Sequence, residues 1–111
     1  MKLYRFILIA VFAFTTQFAF SQNFVTTDQA LELIEVKQAE LAINFKNGTL
    51  SKVTNDIYSY FFEITLIYLK DGSDIPETLA ISFEKGLNRF ENYQEDVVTV
   101  RDDISSLLTI N

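Results

Sequence analysis

The chain of 111 residues contains no cysteine, no histidine and no tryptophan. Without histidine or cysteine it has no imidazole general base, no serine–histidine or cysteine–histidine nucleophile pair, and no thiolate or imidazole zinc site. The absence of cysteine also excludes disulfide bonds and a lipid anchor of the lipoprotein kind. One proline and three glycines are too few for a sheet-rich fold with many turns.

Basic side chains are also few, nine against 15 acidic ones, so the net charge is −6. A nucleic-acid-binding domain needs a basic face to meet phosphates, and this balance argues against one. The length allows one domain rather than two. We find no internal repeat, linker or low-complexity stretch.

The N-terminal segment has the pattern of an export signal. Lys2 and Arg5 supply a positive start, and residues 6–14 (FILIAVFAF) form an unbroken apolar run. Ala19 and Ser21 are the small residues three and one before a cut that follows Ser21. The segment resembles a bacterial general-secretory signal peptide. An uncleaved membrane anchor is disfavoured, because a membrane span takes about 20 apolar residues and this run has nine.

Cleavage after Ser21 divides the chain into a signal peptide, residues 1–21, and a single domain, residues 22–111. The mature chain keeps seven basic and 15 acidic side chains, a net charge of −8. We expect it to be exported, to the periplasm or the extracellular medium, with no stable membrane insertion after cleavage. Its length suffices for one modest hydrophobic core.

The mature sequence predicts four helices. Each begins at a residue whose side chain can accept hydrogen bonds from the first-turn amides. The glycine-containing dipeptides Asn47-Gly48 and Asp71-Gly72 are predicted to end the first two helices. The fourth helix is predicted to continue to the C-terminus. Turns this short make neighbouring helices antiparallel, so the predicted fold is all-α, a small up-down-up-down four-helix bundle. The predicted N-terminal caps are Thr26 with Gln29, Thr49 or Ser51, Asp74 with Glu77, and Asn92 with Glu95.

Residues 58–68 allow a second interpretation, a β-strand, because apolar residues of β-favouring types alternate along them. The opposite face, however, mixes Ser59, Glu63 and Thr65 with Phe61, and is neither a clean core face nor a clean solvent face. A strand through the whole segment would also be unusually long. We therefore favour a helix.

The second helix carries two apolar stripes, whereas a bundle helix normally buries one. Either this helix is central and surrounded by the others, or the second stripe meets another protein or a second copy of the chain. Val36, Ala39 and Ile43 form a smaller stripe on the first helix that could extend such a surface. The main stripe is Val53, Ile57, Phe61, Ile64 and Tyr68, and the second stripe, assigned as the candidate partner surface, is Tyr58, Phe62, Leu66 and Leu69.

Carboxylates could in principle perform acid–base catalysis in pairs. The candidate pairs fall mostly on polar helix faces, which favours a solvated surface. Glu63 lies in the most apolar stretch but points away from the main stripe, so we expect it to be exposed. We predict no catalytic, cofactor-binding or metal-binding residue. The pairs are Glu32 with Glu35, Glu91 with Glu95, and Asp102 with Asp103.

The leading functional hypothesis is an exported, non-enzymatic binding or accessory protein that needs no cofactor. The first alternative is a periplasmic inhibitor or immunity-type protein whose acidic surface blocks a basic cleft of a partner enzyme. A carrier of an apolar ligand is a further alternative, since aromatics that line a core and aromatics that line a pocket look alike in sequence. A carboxylate-only enzyme is the least favoured.

Overall fold

Four α-helices make up most of residues 23–110, which are the residues that the computed structural model describes. The predicted signal peptide, residues 1–21, lies outside the described residues. The all-α four-helix prediction is confirmed, and the strand interpretation of residues 58–68 is wrong. The elements in chain order are β1 (Asn23–Phe24), α1 (Thr27–Lys46), α2 (Lys52–Lys70), α3 (Ile75–Arg89), a 3-10 turn (Glu91–Tyr93), α4 (Gln94–Leu107) and β2 (Thr109–Ile110).

The predicted caps begin the first three helices. Thr26 and Gln29 form the full capping box of α1, in which the side chain of each residue accepts a hydrogen bond from the backbone amide of the other. The side chain of Ser51 accepts a hydrogen bond from the backbone amide of Thr54 and caps α2. The side chain of Asp74 does the same with the backbone amide of Glu77 and caps α3. These bonds satisfy amides that have no partner within the helix.

The first two helices end as predicted. Gly48 and Gly72 have φ of 78° and 96°, in the left-handed region that glycine enters without steric cost. The prediction for the start of α4 is wrong, because Asn92 and Glu95 do not cap it. The 3-10 turn leads directly into Gln94 instead, without a side-chain cap at Tyr93.

The end of α4 also differs from the prediction. The helix stops at Leu107, and Thr109 then pairs with Phe24 in a short antiparallel ladder between β1 and β2. The amide of Val25 extends the ladder by donating to the carbonyl of Leu108 at 2.9 Å. This pairing joins the first and last described elements of the domain by backbone hydrogen bonds. The last two described residues therefore form a strand and not a further helical turn.

α2 is the central helix, since it contacts each of α1, α3 and α4. Its Ile57 and Phe61, members of the main stripe, are buried, as is Ile104 of α4. Phe61 and Phe62 are the largest fully buried side chains among the described residues. A helix surrounded on several sides can bury more than one apolar face, which accounts for both of its stripes.

Small residues line the closest helix contacts. Ser82 of α3 is fully buried against α2, where its hydroxyl lies 2.9 Å from that of Thr65. One turn later, a Cβ at Gly86 would lie 3.3 Å from Cγ1 of Val97 in α4. The absence of a side chain at Gly86 therefore lets α3 and α4 approach closely.

Candidate functional site

The candidate partner surface on α2 lies mostly inside the domain. Phe62 is 1% exposed, Tyr58 and Leu69 are also buried, and Leu66 is half-buried against the core. The rings of Tyr58 and Phe62 stack with their centroids 6.0 Å apart. This burial corrects the expectation of an exposed stripe. Helical periodicity identified an apolar face of α2, but neighbouring elements of the domain cover it, so the central-helix interpretation applies.

A polar contact crosses three helices at the edge of this core. The hydroxyl of Tyr58 on α2 donates to Oδ2 of Asp103 on α4 at 2.5 Å. The same carboxylate oxygen lies 3.3 Å from Nζ of Lys37 on α1. Lys37 also lies 3.6 Å from a carboxylate oxygen of Glu40, one turn along α1. Asp103 thus joins α1, α2 and α4.

Burial raises the pKa of the Tyr58 hydroxyl above its usual value of 10.0, and the hydrogen bond to the Asp103 carboxylate raises it further. Both effects disfavour a phenolate, because the ionised form would be desolvated and would face a second negative charge. At neutral pH Tyr58 is therefore a hydrogen-bond donor. The bond therefore joins α2 to α4 through a neutral phenol donor and a carboxylate acceptor.

Sequence reasoning missed the part played by Lys37 and Asp103. A signal was present for Lys37, which is three residues after Ile34 and four before Leu41, both of them buried. That spacing places Lys37 at the inner edge of α1. No local signal paired Asp103 with Tyr58, since the two are 45 residues apart.

The carboxylates singled out as catalytic candidates lie mostly in solvent. Glu63 is exposed, as predicted, and so are five of the six carboxylates in the candidate pairs. Asp103 is the exception, because it is half-buried and bound to Tyr58 and Lys37. Within residues 23–110, no three or more acidic side chains are grouped so that they could hold a metal ion. The five exposed members are Glu32, Glu35, Glu91, Glu95 and Asp102.

The smaller predicted stripe, on α1, does face solvent. Val36 is 66% exposed, Ile43 is 60% exposed, and Ala39 between them is exposed as well. We call these three residues the outer α1 strip. α1 buries only Ala30, Ile34 and Leu41, which lie on the opposite side of the helix. The outer α1 strip is therefore an apolar line on the outside of the domain.

A shallow groove continues the outer α1 strip toward the N-terminal end of α1. It has a volume of about 290 Å³ and is open to solvent. Its lining combines apolar and polar side chains, as contact surfaces do. Its lining residues are Val25, Gln29, Glu32, Leu33 and Val36.

Comparison of the chain with known protein families, with characterised proteins and with solved structures gives no match. In the part of the chain that the structure describes, none of the helices is both long enough and apolar enough to cross a membrane. The geometry of the domain itself is therefore the basis for a functional hypothesis.

Proposed function

We propose that this protein is an exported binding protein that acts by contact, through the outer α1 strip, and not by catalysis. The observation that carries the proposal is the exposure of Val36 and Ile43, two turns apart on one side of a helix whose other side holds the core. Single exposed apolar residues are ordinary, whereas contiguous exposed apolar residues are typical of interaction sites. The groove beside Val36 lengthens the same surface.

Export is the second part of the proposal, and it rests on the signal-like pattern of residues 1–21. The intact mass of the protein collected outside the cytoplasm should correspond to residues 22–111. A product that retains Met1 or Lys2 would contradict this part of the proposal and leave the contact surface to be judged separately.

The contact surface is tested by changing Val36 and Ile43 together to Gln, which preserves helix propensity and removes apolar area. The matched control is Ile67→Gln on α2, because Ile67 is 55% exposed and comparable with Ile43. We expect the double variant to lose the binding partners that the wild type retains on an affinity column, and the control to keep them. All three proteins should have the same circular dichroism. Identical partners for all three would overturn the proposal.

A further inference from the structure

The outer α1 strip belongs to a longer line of exposed residues on α1. Successive members alternate in steps of three and four, the spacing with which two helices pack side by side. The line covers about 25 Å of helix at 1.5 Å per residue, and every member of it is exposed. Its residues are Gln29, Glu32, Val36, Ala39, Ile43 and Lys46.

The line carries opposite charges at its two ends. Glu32 and Lys46 are each seven residues from Ala39, on opposite sides of it, so that two full turns separate each charge from the centre. Among the described residues, neither of them makes an ion pair. A second α1 turned end for end would place its Lys46 beside Glu32, and its Glu32 beside Lys46.

We propose that the occupant of the outer α1 strip is a second copy of this chain, docked with the two α1 helices antiparallel about a two-fold axis near Ala39. The two-fold axis makes the contact closed and self-complementary. Val36 of each copy would meet Ile43 of the other. The small Ala39 side chain permits close approach at the centre. This inference rests on the proposed function and adds the identity of the partner.

The antiparallel arrangement follows from the charges. Parallel helices would set Glu32 against Glu32 and Lys46 against Lys46, whereas antiparallel helices form two opposite-charge pairs and also oppose the helix dipoles favourably. The net charge of −8 on the mature chain repels two copies at long range. Salt at 0.15 M screens that repulsion beyond about 8 Å, and the apolar contact at the centre is unaffected.

Disulfide trapping tests the geometry directly, because the chain has no cysteine of its own. Glu32→Cys mixed with Lys46→Cys should give predominantly the mixed disulfide under mild oxidation, and Ala39→Cys alone should give a homodisulfide. The control is Gln38→Cys, which is exposed on the same helix but off the line, and it should cross-link slowly. Faster cross-linking of Glu32→Cys with itself than with Lys46→Cys would overturn the antiparallel dimer.

Sedimentation equilibrium tests the same dimer without cross-links. Glu32→Lys and Lys46→Glu should each raise the dimer Kd about tenfold, because each change turns two attractive pairs into repulsive ones. Combining both changes in one chain should restore the wild-type Kd. The Val36→Gln/Ile43→Gln variant should be monomeric, and Ile67→Gln should dimerise like the wild type. A wild type that stays monomeric up to about 1 mM would overturn the proposal.

The two proposals fail in different ways. If the wild type is monomeric and its capture of another protein is lost in the Val36→Gln/Ile43→Gln variant, the outer α1 strip is a binding surface and only the second copy is wrong. If that variant changes neither self-association nor capture, both proposals are wrong.

Discussion

The hydroxyl of Tyr58 donates to Oδ2 of Asp103 at 2.5 Å, and this bond joins the central helix to the last one across 45 residues of sequence. Lys37 completes the contact from α1. The bond lies at the edge of the core, where one partner is buried and the other reaches solvent. Its contribution to stability can therefore be measured by removing a single oxygen atom.

We expect Tyr58→Phe to lower the free energy of unfolding by about 1–2 kcal/mol at neutral pH, because a hydrogen bond to a charged acceptor is lost while the ring packing remains. Urea unfolding followed by circular dichroism measures the change. The control is Tyr60→Phe, whose half-buried ring contacts Phe90 and Arg89, and which should change the unfolding free energy by less than about 0.5 kcal/mol. Equal effects of the two changes would contradict the prediction.

The same bond should be sensitive to alkaline pH. The folded state raises the pKa of Tyr58 above its unfolded value of 10.0, so folded protein holds the phenolic proton more tightly. The resulting stabilisation is fully present below about pH 10 and is lost as the pH rises through the folded pKa. The difference in unfolding free energy between wild type and Tyr58→Phe should therefore shrink above about pH 10. A constant difference between about pH 8 and pH 11 would contradict the assigned pKa shift.

Burial of the second α2 stripe predicts a large effect of truncation. Phe62→Ala should lower the free energy of unfolding by about 3–5 kcal/mol, because the removed ring leaves a cavity in a packed core. Ile67→Ala on the same helix is the control, since Ile67 is 55% exposed, and its effect should stay within about 0.5 kcal/mol. Similar melting temperatures for the two variants would mean that Phe62 faces solvent.

Helix boundaries could be predicted from the sequence wherever capping chemistry is local. Thr26, Ser51 and Asp74 each bind an amide three residues away, so the whole signal lies within one turn. The start of α4 was missed because the 3-10 turn before it uses backbone bonds alone, such as that from Tyr93 to Phe90. Backbone bonds of this kind leave no residue-specific trace.

The location of the exposed apolar face could not be predicted from the sequence. Periodicity shows that a side of a helix is apolar, but only the packing of the other helices shows what covers it. The larger aromatic stripe, with Tyr58 and Phe62, is covered because α2 is central. The smaller stripe, with Val36 and Ile43, is open because α1 is peripheral. The sequence therefore placed the main candidate surface on α2, whereas the exposed stripe is the smaller one on α1.

The close approach of α3 and α4 predicts an energetic coupling between Gly86 and Val97. Alanine in place of glycine within a helix stabilises by about 1 kcal/mol, but the new Cβ would lie only 3.3 Å from Cγ1 of Val97. Gly86→Ala should therefore raise the free energy of unfolding by less than about 0.5 kcal/mol in the wild type. In a Val97→Ala background the same change should raise it by about 1 kcal/mol. Chemical denaturation of the four proteins of this cycle measures the coupling, and strict additivity would contradict it.

Two buried threonines should respond in opposite directions to the same substitution. Both Thr65 and Thr78 are fully buried. The hydroxyl of Thr65 donates to the carbonyl of Phe61 at 2.8 Å and therefore accepts from Ser82 at 2.9 Å. Oγ1 of Thr78 has no hydrogen-bond partner among the described residues. Valine has nearly the same shape as threonine and lacks the hydroxyl, so the comparison isolates the polar group.

Thr65→Val should lower the free energy of unfolding by about 1–3 kcal/mol, because it also leaves the buried hydroxyl of Ser82 without a partner. Adding Ser82→Ala should recover part of that loss, since no unpaired hydroxyl then remains. Thr78→Val should instead raise the free energy of unfolding by about 1 kcal/mol, since an unpaired hydroxyl costs free energy to bury. Urea unfolding of the variants at one pH measures these changes in the free energy of unfolding. Destabilisation by Thr78→Val comparable to that of Thr65→Val would show that the Thr78 hydroxyl has a partner in solution, such as a bound water.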